Sequence, residues 1–464
     1  MNPKNRLIFS TMNKITIIGA GLSGTLLSMN ILKQASEKPV FIKWIERNNW
    51  NDMGPAYSTS EDYLLNVPIE LMGAFSNDTE HFFKWTQEKD IKTQRGDYLP
   101  RKLYKEYIQE MWQEAWVSKV DTIHLERMRD EVVDVKIQDH QIKVIPKNSP
   151  AFFTDKVVFA FGNSLPRNPQ LRNKEILRDE HYVQDPWQPK LLDRMSTDDT
   201  IFFIGTGQTM VDLATGLYRR NHQGKMFAIS RRGVLPMSQK NVEPYPSFYD
   251  EIKDYAEILP IFQTVRKHIK LAVKKGMDPR AVIDSLRSHT IDIWMKFPPQ
   301  EKKKFLSHVF RYWEIIRSRI PPSGEKIINE LIEKGQLEVL TGRMVDIQRS
   351  GNTFQVDYID RNSKREKVQQ ANFVVNCIGP NTDFEKIEYG LIKNLIDSKT
   401  ICCDPAHLGI NALPDGNILT ADNKPSDKMF TLGPTLKGIV WESLATPEIR
   451  GQAEYLSRVL IADN

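Results

Sequence analysis

Short apolar runs that break at glycine set the rhythm of this chain. KITIIGAG (14–21) has the pattern of a buried strand ending in a glycine turn, and the residues after it have helical spacing, predicting a helix over 22–35. VFIKWIER reads as a second strand whose last positions hold Glu46. After a long connection, EVVDVKI, QIKVIP and KVVFAFGN (131–163) predict short strands before a Pro-rich exit, SLPRNPQ. The order then recurs with strand TIFFIGTG, a helix over 208–220, strand KMFAISRRG, and much later RMVDIQRS, TFQVDYID and ANFVVNCIGP (343–380). The pattern is an approximate internal duplication. Each half is a βαβ unit followed by a β-meander that returns to a strand ending in glycine, Gly162 in one and Gly379 in the other.

Between the second βαβ unit and its meander lies a mostly helical insertion, about 250–335, rich in Lys, Arg and aromatic residues. Lys302, Lys303 and Lys304 are expected on a solvated helix face. Residues 381–464 close the fold and end in a helix. The fold class is therefore α/β, two dinucleotide-binding (Rossmann-like) domains with β-meanders and a helical insertion.

With 464 residues the chain exceeds one compact core and suits two or three domains. A formal net charge of +5 spread over that length, without a basic block interleaved with aromatics, argues against a nucleic-acid partner. Cys377, Cys402 and Cys403 show no CxxC pair and no metal-ligand spacing, which fits inert thiols in a reducing cytoplasm and no metal site. No apolar run approaches the ~18 residues of a membrane span, so a soluble protein is expected. The first eleven residues read as a loose tail, with Met12 an alternative start. Homo-oligomerisation is left open.

The two turns carry the chemistry. In GAGLSG, Gly19 permits the tight turn, Gly21 lets the backbone approach a pyrophosphate, and Gly24 allows close packing of helix on strand, with Ser23 between them. Glu46, at the end of the next strand, suits an adenosine ribose. GTGQTMVD keeps Gly205 and Gly207 but has Met210 in place of the third glycine; Gln208 and Thr209 open its helix. Where the first unit has Glu46, the second has Arg231 and Arg232, and guanidinium groups there suit the 2′-phosphate of NADP. A non-binding structural turn is the competing reading of this second motif. Two turns for two dinucleotides, FAD and NADPH, is the expectation.

GAGLSG, Glu46, GTGQTMVD and the strands ending in Gly162 and Gly379 resemble flavoproteins of the class B flavin monooxygenase type. GPAYS, LLNVP, MGAFSND, YLPRKLY and GPTLKGIVWESLATPEIRGQA are similar to a narrower FAD/NAD(P)-binding group that includes an FAD-dependent urate hydroxylase. GTGQTMVD and RKLYKEY, with Arg101 six residues before Tyr107, also resemble N-hydroxylating monooxygenases. The FxGxxxHxxxW fingerprint of Baeyer-Villiger enzymes is missing, although His181 and Trp187 stand in that region.

The resemblance implies an FAD-binding domain in two parts, 1–195 and 346–464, around an NADP-binding domain, 196–345. It implies an NADPH-dependent monooxygenase that hydroxylates a small polar substrate with O2 through a C4a-hydroperoxyflavin. Asn66 would face the flavin, with a turn residue before Val67-Pro68 as the competing reading; Gly433 would pass its ribityl chain, and the helix from Thr446 would aim at its pyrimidine edge. Arg101 joins the cofactor-binding set by the same likeness. Trp441 and Glu442 are candidate catalytic residues, read equally as active-site wall or ordinary packing. Arg317 and Arg319 are candidates for an anionic substrate, with a solvated helix face as the competing reading. An FAD-dependent NAD(P)H reductase or oxidase, and a flavin-binding protein without catalysis, are the alternatives.

Overall fold

The computed structural model describes residues 12–462 apart from 35–38, 51–52, 59–62 and 139–140. The loose tail expected over residues 1–11 lies outside the described residues, as does the last position of the helix expected over 22–35.

β1 (Asn13–Ile18) leads into α1 (Leu22–Leu32), and β2 (Val40–Glu46) lies parallel to β1. α2 (His81–Glu88) and α3 (Arg101–Val117) fill the long connection before β3 (Ile123–Arg129), parallel to β2. β4 (Val132–Gln138), β5 (Gln141–Pro146) and β6 (Phe152–Thr154) make an antiparallel meander, and β7 (Lys156–Phe159) returns beside β1.

The second half repeats the plan with β8 (Tyr182–Val183), β9 (Ile201–Ile204), α4 (Gln208–Arg219) and β10 (Met226–Ser230). The insertion supplies α5 (Ile258–Lys274), α6 (Arg280–Asp284), α7 (Thr290–Lys296), α8 (Pro299–Lys304), α9 (Phe310–Arg317) and α10 (Pro322–Glu333). Then come β11 (Leu337–Ser350), β12 (Thr353–Asp360), β13 (Glu366–Ala371) and β14 (Phe373–Asn376). α11 (Gly390–Asp397), β15 (Asn417–Leu419), β16 (Pro425–Thr431), α12 (Lys437–Val440) and α13 (Thr446–Ile461) complete the chain.

Two main sheets result, in the orders β15-β16-β7-β1-β2-β3 and β13-β12-β11-β10-β9-β14-β8. β9 is buried along its whole length, which explains why it reads as an unbroken apolar run rather than an alternating one. α1 is buried almost all round because it lies between the sheet, α3 and α13.

The structure corrects the sequence reading in three places. The division at 345 falls inside β11, and the strands through Asn376 stay in the second sheet, as does β8 before residue 196. The meander strands share that sheet because β11 is long enough to pair parallel with β10 at one end and antiparallel with β12 at the other, across an irregularity between Met344 and Asp346. β3 went unnoticed because its IHLERMR pattern is half polar. Finally, Lys302 is not on a solvated face: its ammonium donates to Gly438 O (3.1 Å) over the Trp294 ring, and burial lowers its pKa.

Candidate dinucleotide and active-site cleft

The first glycine turn is fixed by sterics. Gly19 has φ +112°, and a Cβ there would lie 2.4 Å from Ala160 O. A Cβ on Gly24 would lie 2.1 Å from Gly19 O, so α1 packs against its own strand only because both positions are glycine. Gly21 caps α1 without any side-chain hydrogen bond, which leaves the first N–H groups of the helix open toward the cleft. Glu46 Oε2 accepts from Ala20 N (2.7 Å) and Oε1 from Asn48 N (2.8 Å), holding the carboxylate beside the turn.

The second turn repeats the geometry. Gly205 has φ +123° and abuts Cys377 O, which a Cβ would approach to 2.5 Å; Gly207 caps α4 with open space before it. Met210 fills the third-glycine position as a fully buried core residue. Thr206 Oγ1 donates to Val234 O (2.7 Å), and Arg311 from α9 donates to both, at 3.1 and 3.2 Å. Arg232 lies over the Tyr312 ring at 4.5 Å, while Arg231 is exposed. The insertion thus braces the second turn through Arg311 and Tyr312, which the sequence reading missed because α9 lies about a hundred residues downstream.

A cleft of ≈ 2180 Å³ joins the two turns. Gly19, Gly21, Ser23, Glu46, Asn66 and Arg101 line it from the first domain, and Gln208, Thr209 and Asp212 from the second. Gly162, Gly379 and Thr446 complete its wall. Asn66 Nδ2 donates to Gln208 Oε1 (3.2 Å), and Gln208 Nε2 donates to Arg319 O (2.8 Å). Arg101 forms an ion pair with Asp212 (2.7 Å) and stands over the Trp187 ring at 5.1 Å, so this arginine ties α3 to α4. Burial raises the Asp212 pKa, opposed by that same guanidinium.

α13 points its N-terminus at the cleft, with Pro447 in its first turn and no side-chain cap. Gly433, at φ +77°, is in contact with Ser23, whose Oγ a Cβ would meet at 2.4 Å. Tyr57 OH lies 3.5 Å from Thr446 Oγ1, and burial raises its pKa.

Gly24, Gly205, Gly207, Arg231, Arg232 and Gly433 lie behind or beside the cleft lining, and so do the candidates Trp441, Glu442, Arg317 and Arg319. Trp441 adopts φ +61° and ψ −59°, and Glu442 N donates back to Val440 O (2.7 Å), a γ-turn of the rare and strained hand. Its ring packs on Trp294 (4.4 Å), Phe305 (5.2 Å) and Phe310 (5.6 Å), so the insertion core holds that turn. Glu442 accepts two bonds from Arg317 (3.2 and 3.0 Å), and Arg319 is buried against Asp284 (3.0 and 2.9 Å). Neither arginine is on a solvated face.

Glu448, in the first turn of α13, lies 3.9 Å from Arg317; burial raises its pKa, and its Oε2 has no hydrogen-bond partner among the described residues. An acid in the first turn after TP was the available signal for it.

Residues 16–164 match a family model described as FAD-NAD(P)-binding. No curated protein sequence matches the chain. Solved structures with the same fold include the FAD-bound cadaverine monooxygenase DfoA of Erwinia amylovora, at TM-score 0.65 and 12% identity over 97% of this chain and 94% of that one. The ornithine N-hydroxylase KtzI of Kutzneria sp. 744, in a form with reduced FAD, NADP+ and L-ornithine, gives 0.64 and 12% over 97% and 99%. The ornithine hydroxylase PvdA of Pseudomonas aeruginosa gives 0.63 and 15% over the same shares. Among the described residues no helix is long and apolar enough to cross a membrane.

Proposed function

We propose that this chain, which has the fold of two-dinucleotide flavoproteins, is an FAD- and NADPH-dependent monooxygenase that hydroxylates a small polar substrate. The observation that carries the reading is the convergence of the α1, α4 and α13 N-termini, each without a side-chain cap, on one cleft. Such ends favour anions, and two of them begin at glycine turns with room for a pyrophosphate.

FAD fits the first turn, with its pyrophosphate on α1, its ribose on Glu46 and its ribityl chain past Gly433. NADPH fits the second, with Arg231 and Arg232 as the 2′-phosphate contacts. Electron transfer from NADPH and the delivery of one oxygen atom from O2 are the chemistry the flavin would supply. The α13 end at Thr446 would favour negative charge on the flavin pyrimidine.

The protein's own part is to orient and shield. Asn66 holds its amide against Gln208 at the seam of the domains and would offer Nδ2 to the reacting groups. Glu448, with a raised pKa and a buried oxygen that has no partner among the described residues, would hold a proton behind the cleft wall at Thr446. Arg317 is spent on Glu442, so an anionic substrate would displace Glu442 or use Arg287, whose pKa is lowered by desolvation and which also feels the charges of Arg317, Glu448 and Glu442. Arg319 acts through its carbonyl, which orients Gln208. Among the described residues no cysteine lines the cleft, which favours this reading over a dithiol relay.

The test is the ratio of H2O2 released to NADPH consumed, with amines, purines and sulfides as trial substrates, in wild type and Asn66→Ala. Loss of one preorganised donor costs about 2.7 to 4 kcal/mol of the step it serves, so product should fall about a hundredfold while NADPH consumption continues. If Asn66→Ala lost FAD, Asn66 would be a turn residue only. If wild type released every electron pair as H2O2 with every substrate, the oxidase or reductase reading would replace this one.

A further inference from the structure

Away from the dinucleotide turns, two loops bring together Asp383, Cys403 and His407, whose donor atoms all lie within 4.8 Å of one another. His407 Nδ1 is 3.3 Å from Asp383 Oδ1 and 3.7 Å from Glu385 Oε2, and Cys403 Sγ is 4.0 Å from Asp383 Oδ1. We propose that Asp383, Cys403 and His407 form a binding site for a borderline-soft divalent cation of the zinc type, with Glu385 or water as fourth ligand.

The spacing is what such an ion needs. With Zn–N and Zn–O near 2.1 Å and Zn–S near 2.3 Å, a tetrahedron has N···O edges of about 3.4 Å and S···O edges of about 3.6 Å. The His407–Asp383 separation already matches its edge, and the Cys403–Asp383 one needs a small side-chain rotation. A thiol, an imidazole and a carboxylate together select zinc over magnesium or calcium, which prefer all-oxygen shells.

Both loops are built to hold these donors. Asn381 Oδ1 accepts from Asp383 N (3.2 Å), and Lys386 pairs with the other carboxylate oxygen of Asp383, leaving Oδ1 to face the cluster. Asp404 accepts from Ala406 N (2.8 Å) and Leu408 N (2.7 Å), which folds the turn carrying His407. His407 sits at φ +54°, and its carbonyl accepts from Thr382 Oγ1 (3.3 Å), so the turn is stitched to the Asp383 loop. Cys403 and Ile410 form an isolated bridge across the base of that turn. Asn381, Glu385 and Lys386 line the main cleft, so a bound ion would fasten part of its wall to the 403–410 turn.

The sequence carries the signal as Cys-x3-His, which a search for CxxC pairs passes over. The inference does not depend on the monooxygenase reading. The test is calorimetric titration of Zn2+ into the full-length, chelator-treated protein, with Co2+ as an optical probe read at wavelengths longer than flavin absorbs. One equivalent should bind, Co2+ should give the intense visible bands of a tetrahedral site with a thiolate ligand, and the Tm should rise. Cys403→Ser and His407→Gln should each weaken binding at least tenfold, whereas Cys402→Ser should leave it unchanged. Cys403 is part-exposed and His407 exposed, and circular dichroism of the variants will show whether they fold. Absence of a one-equivalent Zn2+ isotherm in wild type, or equal affinity in wild type and folded Cys403→Ser, would overturn the proposal.

Discussion

Arg231 and Arg232 stand at the end of β10, where the first unit places Glu46 at the end of β2. Charge-assisted contacts to a phosphate contribute about 1.5 to 3 kcal/mol each, so replacing both with alanine should weaken NADPH at least tenfold and leave NADH unaffected. Binding measured by flavin reduction rates at varied NADPH and NADH checks this, and equal losses would reduce both arginines to structural roles. Part of this site was legible from single residues. The glycines could be read because a tight turn and a close approach leave no room for a Cβ, and Gly19, Gly24 and Gly205 each abut backbone in that way. Arg311, Glu448 and Cys403 were not, because their meaning depends on partners that only the fold brings near. Arg317 shows the reverse: its residue type suggested a ligand, while its geometry commits it to Glu442.

At the scale of elements, the alternation of apolar runs with glycine turns gave both βαβ units, since strands buried on two faces and helices opening at glycine leave strong local marks. Sheet membership left none. That β11 to β14 stay in the second sheet is decided by pairing between strands far apart in sequence. The joint between α5 and α6 in the insertion offers a pH test. Asp278 accepts from the Arg280 side chain and backbone, and these bonds lower its pKa to about 2. Its unfolded value is about 3.9. The depressed folded pKa means the stabilisation is full above the unfolded value and is lost as pH falls through about 2. Urea unfolding should therefore show Asp278→Asn less stable than wild type at neutral pH, with the gap narrowing from about pH 4 downward. A gap independent of pH would show that the carboxylate charge is not what matters there.

For the whole molecule, the two domains meet where Asn66 touches Gln208 and Arg101 pairs with Asp212, and the insertion reaches both, bracing the second glycine turn with Arg311 and the Trp441 turn with its aromatic core. One cleft served from every side suits the proposed reading, in which FAD and NADPH would lie beside a bound substrate and O2 would be the electron acceptor. The most direct measurement is anaerobic mixing of the FAD-loaded protein with NADPH, followed by stopped-flow mixing with O2. Bleaching by NADPH is expected, then a transient species spectrally distinct from both reduced and oxidised flavin, before the oxidised spectrum returns. Direct return to oxidised flavin with one H2O2 per NADPH, or failure of the chain to hold FAD at all, would contradict it.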